Sequence, residues 1–242
     1  MTAPAIEFRA AEYRVDGRAV LGPLSLVVAT GETVVLLGRS GSGKTTALRM
    51  INGLLLPTAG EVLVDGRGTR AWDPVRLRRG IGYVIQEIGL FPHMTVERNV
   101  GLVPRLERWP AARIRARVAE LLALVGLPPE QFAGRLPHQL SGGQRQRVGV
   151  ARALAADPPI LLCDEPFGAV DPIARGELQT EFKALTARLS RTVVFVTHDV
   201  REALALATRI VVLEDGQVHF SGSAQAFQGS GDPHVRALRE SA

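Results

Sequence analysis

The segment from Thr33 to Thr46 constrains the fold of this 242-residue chain more than any other. The apolar run Thr33 to Leu37 predicts a strand, and the residues after Thr45 predict a helix that ends near Asn52-Gly53. Between them lies a sequence of the P-loop pattern, Gly, four residues, Gly-Lys-Ser/Thr: Gly38-Arg39-Ser40-Gly41-Ser42-Gly43-Lys44-Thr45. A flexible glycine turn is the alternative, but the order strand, loop, helix favours a phosphate-binding loop.

The residue types in this loop predict how it binds a nucleotide. Its glycines allow backbone N–H groups to surround phosphate oxygens at a helix N-terminus, and we assign Gly38 through Thr46 to nucleotide binding. Lys44 can reach the β and γ phosphates, and the Thr45 hydroxyl can bind Mg²⁺. Of 29 basic residues only Lys44 and Lys183 are lysines. A lysine in the glycine-rich loop of a chain that otherwise uses arginine indicates that a compact ammonium is needed there.

A second candidate site follows the apolar run Ile160 to Cys163. Asp164 and Glu165 end this predicted strand, at the sheet edge where open α/β proteins bind ligands. We expect Asp164 to hold Mg²⁺, through water, and Glu165 to take the proton from an attacking water. An acid at a strand end can also be only a cap. Cys163 is the single cysteine, so a disulfide framework is excluded and a reducing compartment is expected. Its place in an apolar run predicts that the side chain is buried.

The remaining patterns predict an α/β chain. Runs from Ile6 to Tyr13 and from Leu24 to Val28, separated by Asp16-Gly17 and Gly22-Pro23, predict a small antiparallel layer at the N-terminus. Strands predicted at Thr192–Thr197 and Ile210–Glu214 alternate with helices, as a parallel sheet requires.

A helical insertion is predicted between the two halves of the sheet. A helix beginning at Pro110 has one apolar face, and a second helix extends from Ser141 towards Ala156. The first face comprises Ile114, Val118, Leu121, Leu122 and Val125.

Composition excludes several classes of protein. With 46% apolar and 22% charged residues the chain is neither disordered nor fibrous. No apolar stretch reaches the ~18 residues of a membrane span, and the acidic residues before Arg14 argue against a signal peptide. The net charge of +5 is spread along the chain, so nucleic acid is not an expected partner.

The pentapeptide Leu140-Ser141-Gly142-Gly143-Gln144 resembles the signature of ATP-binding cassette (ABC) ATPases. Ser141 and two glycines at a helix N-terminus would make a second phosphate-binding surface, and a plain N-cap is the alternative. One P-loop needs one such cradle per nucleotide, so a second cradle on the same chain favours a head-to-tail homodimer with ATP between the subunits. The resemblance implies this arrangement.

The resemblance also implies roles for four single residues, each with a structural alternative. Gln86 is similar to the glutamine that senses Mg²⁺ and water, or is an exposed linker residue. His198 resembles the switch histidine that bonds the γ-phosphate, or is a structural group at a strand end. Asp171, after Val170 where the family commonly has Leu, resembles the aspartate that contacts the partner subunit, or is an N-cap with Pro172. Tyr13 resembles the aromatic that stacks on adenine, or is a core tyrosine.

One stretch narrows the resemblance to the ATPases of glycine betaine, choline and carnitine importers. It runs from Ile85 to Val96 and continues in Asn99, Pro104, Leu106 and Trp109, although Phe91-Pro92-His93 is shared with sugar importers. The resemblance implies transmembrane permease subunits, a solute-binding protein acting indirectly, and a peripheral position at the cytoplasmic face of the membrane. The chain ends at Ala242 without paired CBS modules, so regulation through them is not expected.

We therefore expect one α/β ABC ATPase domain over residues 1–242. The resemblance implies a P-loop (RecA-like) core and antiparallel β subdomain over residues 1–91 and 157–242, with a helical subdomain over 92–156. An importer ATPase for a sugar or amino acid, and a non-transport ABC protein, are the alternatives. A passive nucleotide-binding module is a further one, which Glu165 argues against.

Overall fold

The computed structural model describes residues 4–86, 89–168 and 172–240, with the backbone alone for 172–174. The strands are β1 (Ile6–Val15), β2 (Arg18–Val28), β3 (Thr33–Leu37), β4 (Ala59–Val64), β5 (Arg67–Gly68), β6 (Ile81–Val84), β7 (Ile160–Asp164), β8 (Thr192–Thr197), β9 (Arg209–Glu214) and β10 (Gln217–Gly222). The helices are α1 (Lys44–Ile51), α2 (Pro74–Arg79), α3 (Val96–Val100), α4 (Leu102–Leu106), α5 (Ala111–Leu124), α6 (Pro129–Phe132), α7 (Gly142–Leu154), α8 (Pro172–Arg188), α9 (Val200–Leu206), α10 (Ala224–Gly229) and α11 (Pro233–Glu240).

The chain divides into two compact units. The first comprises the residues up to Arg78 together with those from Ser190 onward, and the second is Arg79–Leu189. The predicted limits of a helical subdomain, 92–156, stay a prediction.

An antiparallel sheet forms the N-terminal part of the first unit, as predicted. Its order is β2-β1-β4-β5, and β1 pairs antiparallel with both β2 and β4. Asp16 and Gly17 both have positive φ, 48° and 78°, which the tight turn of a β1–β2 hairpin needs.

The predicted break at Gly22-Pro23 is wrong, because β2 runs through both residues. Pro23 lacks an N–H, and β2 lies at the edge of its sheet, where a missing donor is tolerated. The Gly22 N–H donates outside the sheet, to the Gly216 carbonyl at 2.8 Å.

The rest of the described sheet structure in this unit consists of three parallel strands and one antiparallel strand. Strand β3 lies between β8 and β9 and is parallel to both, while β10 pairs antiparallel with β9. All of β8 and four of the five residues of β3 are buried, which explains their continuous apolar sequences. The register pairs Leu37, the last residue before the P-loop, with Thr197, the last residue before His198.

The second unit contains the parallel pair β6–β7 and the helices between them in sequence. Helix α5 begins one residue after Pro110, and its predicted apolar face is buried at Ile114, Val118, Leu121 and Leu122, as is Val125 at its C-cap. Within the described residues, none of the helices combines the length and apolar character needed to cross a bilayer. The α/β class, with an antiparallel N-terminal layer and parallel strands, is confirmed.

Candidate nucleotide-binding site

The P-loop leads from β3 directly into α1. Its last glycine, Gly43, occupies the N-cap position with φ 94° and supplies no side-chain cap. The first amides of a helix lack partners within the helix, and here no capping side chain at Gly43 competes for them. This helix start therefore has the geometry of an anion-binding site.

At two glycines of the P-loop, Gly38 and Gly43, there is no room for a side chain. A Cβ on Gly38 would lie 2.0 Å from the Leu213 carbonyl oxygen and 2.8 Å from Ser42 Oγ. On Gly43 it would lie 2.8 Å from the Val20 carbonyl oxygen and 3.0 Å from Leu21 Cδ1. Glycine at these positions lets the loop pack against β9 and β2.

Lys44 is held inside the loop. Its side chain is buried, and Nζ donates to the Gly38 carbonyl at 2.8 Å, the Arg39 carbonyl at 2.6 Å and Ser42 Oγ at 3.3 Å. These bonds orient a positive charge within the loop that precedes the uncapped helix start. Thr45 and Thr46, in the first turn of α1, are half-buried, whereas Arg39 and Ser40 are exposed.

His198 lies at the same sheet edge as the P-loop. It follows β8 directly, and the register of β8 with β3 aligns Thr197 with Leu37. Its side chain is exposed. The structure thus brings two of the sequence-predicted site elements together within the first unit.

Tyr13 lies on β1, half-buried and opposite Leu21 of β2. Leu21 is the residue whose side chain approaches Gly43, so Tyr13 is one strand away from the P-loop. Its adenine-stacking role stays a prediction.

In the second unit, the parallel pairing of β6 and β7 brings Gln86 next to Glu165. The pairing aligns Val84 with Cys163, and Gln86 Nε2 donates to Glu165 Oε2 at 3.4 Å. Glu165 has a positive φ of 44° and is half-buried, so its carboxylate is accessible at the strand end. The two residues predicted to act on the attacking water are neighbours.

Asp164 is buried at the end of β7, and its Oδ2 accepts a hydrogen bond from the Tyr83 hydroxyl at 3.3 Å. Tyr83 lies on β6, one residue before its end, and was not among the predicted site residues. Nothing in the sequence around Tyr83 indicates that this segment pairs with β7. The pairing of the strands was the missing information.

The predicted signature residues form a helix N-terminus. Ser141 is the N-cap of α7, where its Oγ accepts from the Gln144 N–H at 3.2 Å and its N–H donates to Gln144 Oε1 at 3.0 Å. Gly142 and Gly143 begin the first turn. The predicted helix start at Ser141 is confirmed. The phosphate-binding role of this helix start stays a prediction. Asp171 lies outside the described residues.

The oxygen ligands at these positions fit Mg²⁺. A buried carboxylate such as Asp164 and a hydroxyl such as Thr45 are ligands of the kind Mg²⁺ takes together with water and substrate phosphates. No cluster of three His, Cys, Asp or Glu side chains able to hold a metal is present in the described parts of the chain.

Cys163 and Arg152, both in the second unit, have shifted pKa values. Burial and the charge of Asp164 raise the pKa of the fully buried Cys163 thiol well above its usual range. Burial lowers the pKa of the Arg152 guanidinium on α7, which donates to the Gly89 carbonyl at 2.6 Å. Arg152 thereby joins the signature helix to the segment that follows Gln86.

Comparisons with known proteins agree with this geometry. Residues 21–168 match the family described as ABC transporter. The chain is 54% identical to the choline transport ATP-binding protein OpuBA of Bacillus subtilis, over 84% of this chain and 53% of that protein. It is 49% identical to the glycine betaine uptake system ATP-binding protein YehX of Escherichia coli, over 90% and 70%. It is 47% identical to the sulfate/thiosulfate import ATP-binding protein CysA of Thermosynechococcus vestitus, over 89% and 63%.

A solved structure extends the comparison to the fold. The post-hydrolysis dimer of the ATP-binding cassette MJ0796, bound to ADP and Pi, matches with a TM-score of 0.81 and 36% identity, over 90% of this chain and 98% of that one. The chain spans about half the length of OpuBA. The matched residues include the P-loop, the signature and the β7 carboxylates, and the chain belongs to the ABC transporter family of ATP-binding cassettes.

Proposed function

We propose that this chain is the ATP-binding and ATP-hydrolysing subunit of an importer for quaternary ammonium osmoprotectants. The observation that carries the ATPase part is the buried Lys44, fixed by three hydrogen bonds at an uncapped helix start. The solute class rests on the names of relatives such as OpuBA and YehX. We do not expect the transported solute to bind to this subunit, so the solute class is argued from the relatives and not from a pocket.

Each candidate residue has a defined task in hydrolysis. Lys44 and the first amides of α1 bind the phosphates. Thr45 and Asp164 would each offer an oxygen ligand to Mg²⁺, which would neutralise phosphate charge when bound. Glu165 accepts the proton of the attacking water, and Gln86, 3.4 Å from it, orients carboxylate and water. His198 donates a hydrogen bond to the γ-phosphate.

We assign the signature helix to the second nucleotide of a homodimer. Ser141, Gly142, Gly143 and Gln144 would face the P-loop of another copy, with ATP between them and Asp171 contacting the partner. The dimeric state named for MJ0796 supports this proposal.

The permease would bind to the segment that contains Phe91, Pro92 and His93. These three side chains are exposed, and Phe91 packs edge-on against His93 at 6.1 Å between ring centroids. The segment is held by Asn99, which is fully buried and exchanges hydrogen bonds of 2.8 and 3.1 Å with the backbone of Phe91. A rigid exposed surface of this kind suits a membrane partner and a peripheral position at the cytoplasmic face, with the solute-binding protein acting on the other side.

Import of an inorganic anion is the second candidate, because CysA is 47% identical over most of this chain. The two candidates predict different stimulating solutes. A sugar or amino acid remains a further class to be included in the test.

The test is ATP hydrolysis by the chain assembled with its permease and binding protein in liposomes. Glycine betaine or choline should stimulate hydrolysis, and sulfate should not. Stimulation by sulfate, a sugar or an amino acid alone would overturn the solute class and leave the ATPase intact. Lys44→Ala serves as the control for hydrolysis, since it should abolish activity with every solute, and undiminished activity in that variant would refute the ATPase assignment.

A further inference from the structure

A polar cluster of two buried residues and one half-buried residue adjoins His198. It consists of Thr197, Asp199 and Glu202, which surround the histidine in sequence and belong to β8, the following loop and α9. Thr197 and Glu202 are 2% and 4% exposed, whereas His198 itself is exposed. The exposed histidine is therefore next to buried polar side chains that belong to the strand before it and the helix after it.

The hydrogen bonds of this cluster have one consistent direction. The Asp199 N–H can only donate, and it does so to Thr197 Oγ1 at 3.0 Å. The hydroxyl has a single proton, which it donates to Glu202 Oε2 at 2.5 Å. Glu202 thus fixes the Thr197 hydroxyl, and the hydroxyl fixes the backbone on the far side of His198.

Helix α9 adds further bonds to this group of hydrogen bonds around His198, which we call the clamp. Asp199 is its N-cap and accepts from the N–H groups of Arg201 at 2.7 Å and Glu202 at 3.3 Å. The residues before and after His198 are thereby tied to the same first turn of α9. The backbone of His198 cannot change its position without breaking at least one of these bonds.

The strand register links this clamp to the P-loop. Thr197 pairs with Leu37, which precedes Gly38, so the clamp sets where His198 stands relative to the phosphate-binding loop. We infer that Glu202 and Thr197 are positioning residues that hold His198 in reach of the γ-phosphate. This inference rests on the proposed function and deepens it, since it assigns a role to residues outside the predicted site.

The decisive variant is Thr197→Val, which keeps the shape and removes the hydroxyl. A matched control is available on the same strand, because Thr192 is equally buried and its hydroxyl accepts from the Gly31 N–H at 3.0 Å. Both variants lose a buried hydroxyl, but only Thr197 adjoins His198. Glu202→Gln keeps an acceptor oxygen for the hydroxyl and is the conservative variant, whereas Glu202→Ala removes it.

We expect Thr197→Val and Glu202→Ala to lower kcat for ATP about tenfold, because a displaced group loses its alignment, with KM changed less than about twofold. Thr192→Val and Glu202→Gln should stay within about threefold of the wild type. In a His198→Ala background, Thr197→Val should add less than about a twofold loss, since a histidine that is absent cannot be misplaced.

Three results would overturn the inference. They are equal kcat for Thr197→Val and Thr192→Val, an undiminished effect of Thr197→Val when His198 is already alanine, and a His198→Ala variant as active as the wild type. If one of these results is found while the wild type hydrolyses ATP, the inference is wrong and the proposed ATPase function still holds. A wild type that binds but never hydrolyses ATP would remove both.

Discussion

Replacing Gly38 with alanine tests whether the P-loop is shaped by its contact with β9. The added Cβ would lie 2.0 Å from the Leu213 carbonyl oxygen, closer by about 1.3 Å than an ordinary C···O contact of about 3.3 Å. The Cβ would be fixed to the backbone of Gly38, which follows β3 directly, and it would meet the backbone carbonyl of Leu213 in β9. Neither can move aside without disturbing a strand.

Overpacking of this kind costs about 3 kcal/mol. For a chain of this length that corresponds to a melting temperature lower by about 6–12 °C. The Ser42 Oγ, 2.8 Å from the same Cβ, would also be displaced, and with it one of the acceptors that holds Lys44. We therefore expect Gly38→Ala to lose nucleotide affinity as well as stability.

The assay combines thermal denaturation with equilibrium binding of a fluorescent ATP analogue. Gly134→Ala is the control, because a Cβ there meets nothing within 4 Å. Gly41→Ala should be intermediate, since its Cβ is also unobstructed but its φ of +82° costs about 1–2 kcal/mol for alanine. If Gly38→Ala matches Gly134→Ala in melting temperature and affinity, the packing argument is wrong.

Three further predictions follow from the second unit. Ser141→Ala and the matched N-cap variant Ser223→Ala should each lower the free energy of unfolding by about 1 kcal/mol. Only Ser141→Ala should weaken an ATP-dependent dimer, measured by light scattering. Asn99→Leu should keep basal hydrolysis and lose co-purification with the permease, since the Phe91 segment is released; unchanged co-purification would contradict this. The raised pKa of Cys163 keeps the native thiol protonated while the unfolded thiol ionises, so stability should fall above about pH 9, by at most about 1.4 kcal/mol per pH unit. Urea denaturation between pH 7.5 and 10 should show a flatter dependence for Cys163→Ala, and identical slopes would refute it.

Local patterns were enough to predict the elements whose signals are local. The P-loop between β3 and α1, the cap at Ser141 and the buried face of α5 each depend on residues within a few positions of one another. The prediction at Gly22-Pro23 was wrong because the edge position of β2, a property of the whole sheet, decides whether a proline is tolerated.

Contacts between distant segments could not be predicted. Gln86 and Glu165 meet only because β6 pairs with β7, and nothing in either strand's own sequence states that pairing. The same holds for the bond from Tyr83 to Asp164. The cluster that adjoins His198 is local, but its direction depends on the rotamers of Thr197 and Glu202.

The central claim is that this chain hydrolyses ATP with Glu165 as the base, and Glu165→Gln tests it most directly. The amide keeps the shape of the side chain but cannot accept the proton, so hydrolysis should fall by about 10²-fold or more while ATP binding persists and a dimer accumulates. The exposed Glu130, on α6, provides the control Glu130→Gln, which should behave as the wild type. A Glu165→Gln variant that hydrolyses ATP at the wild-type rate, or stays monomeric with ATP bound, would contradict the account.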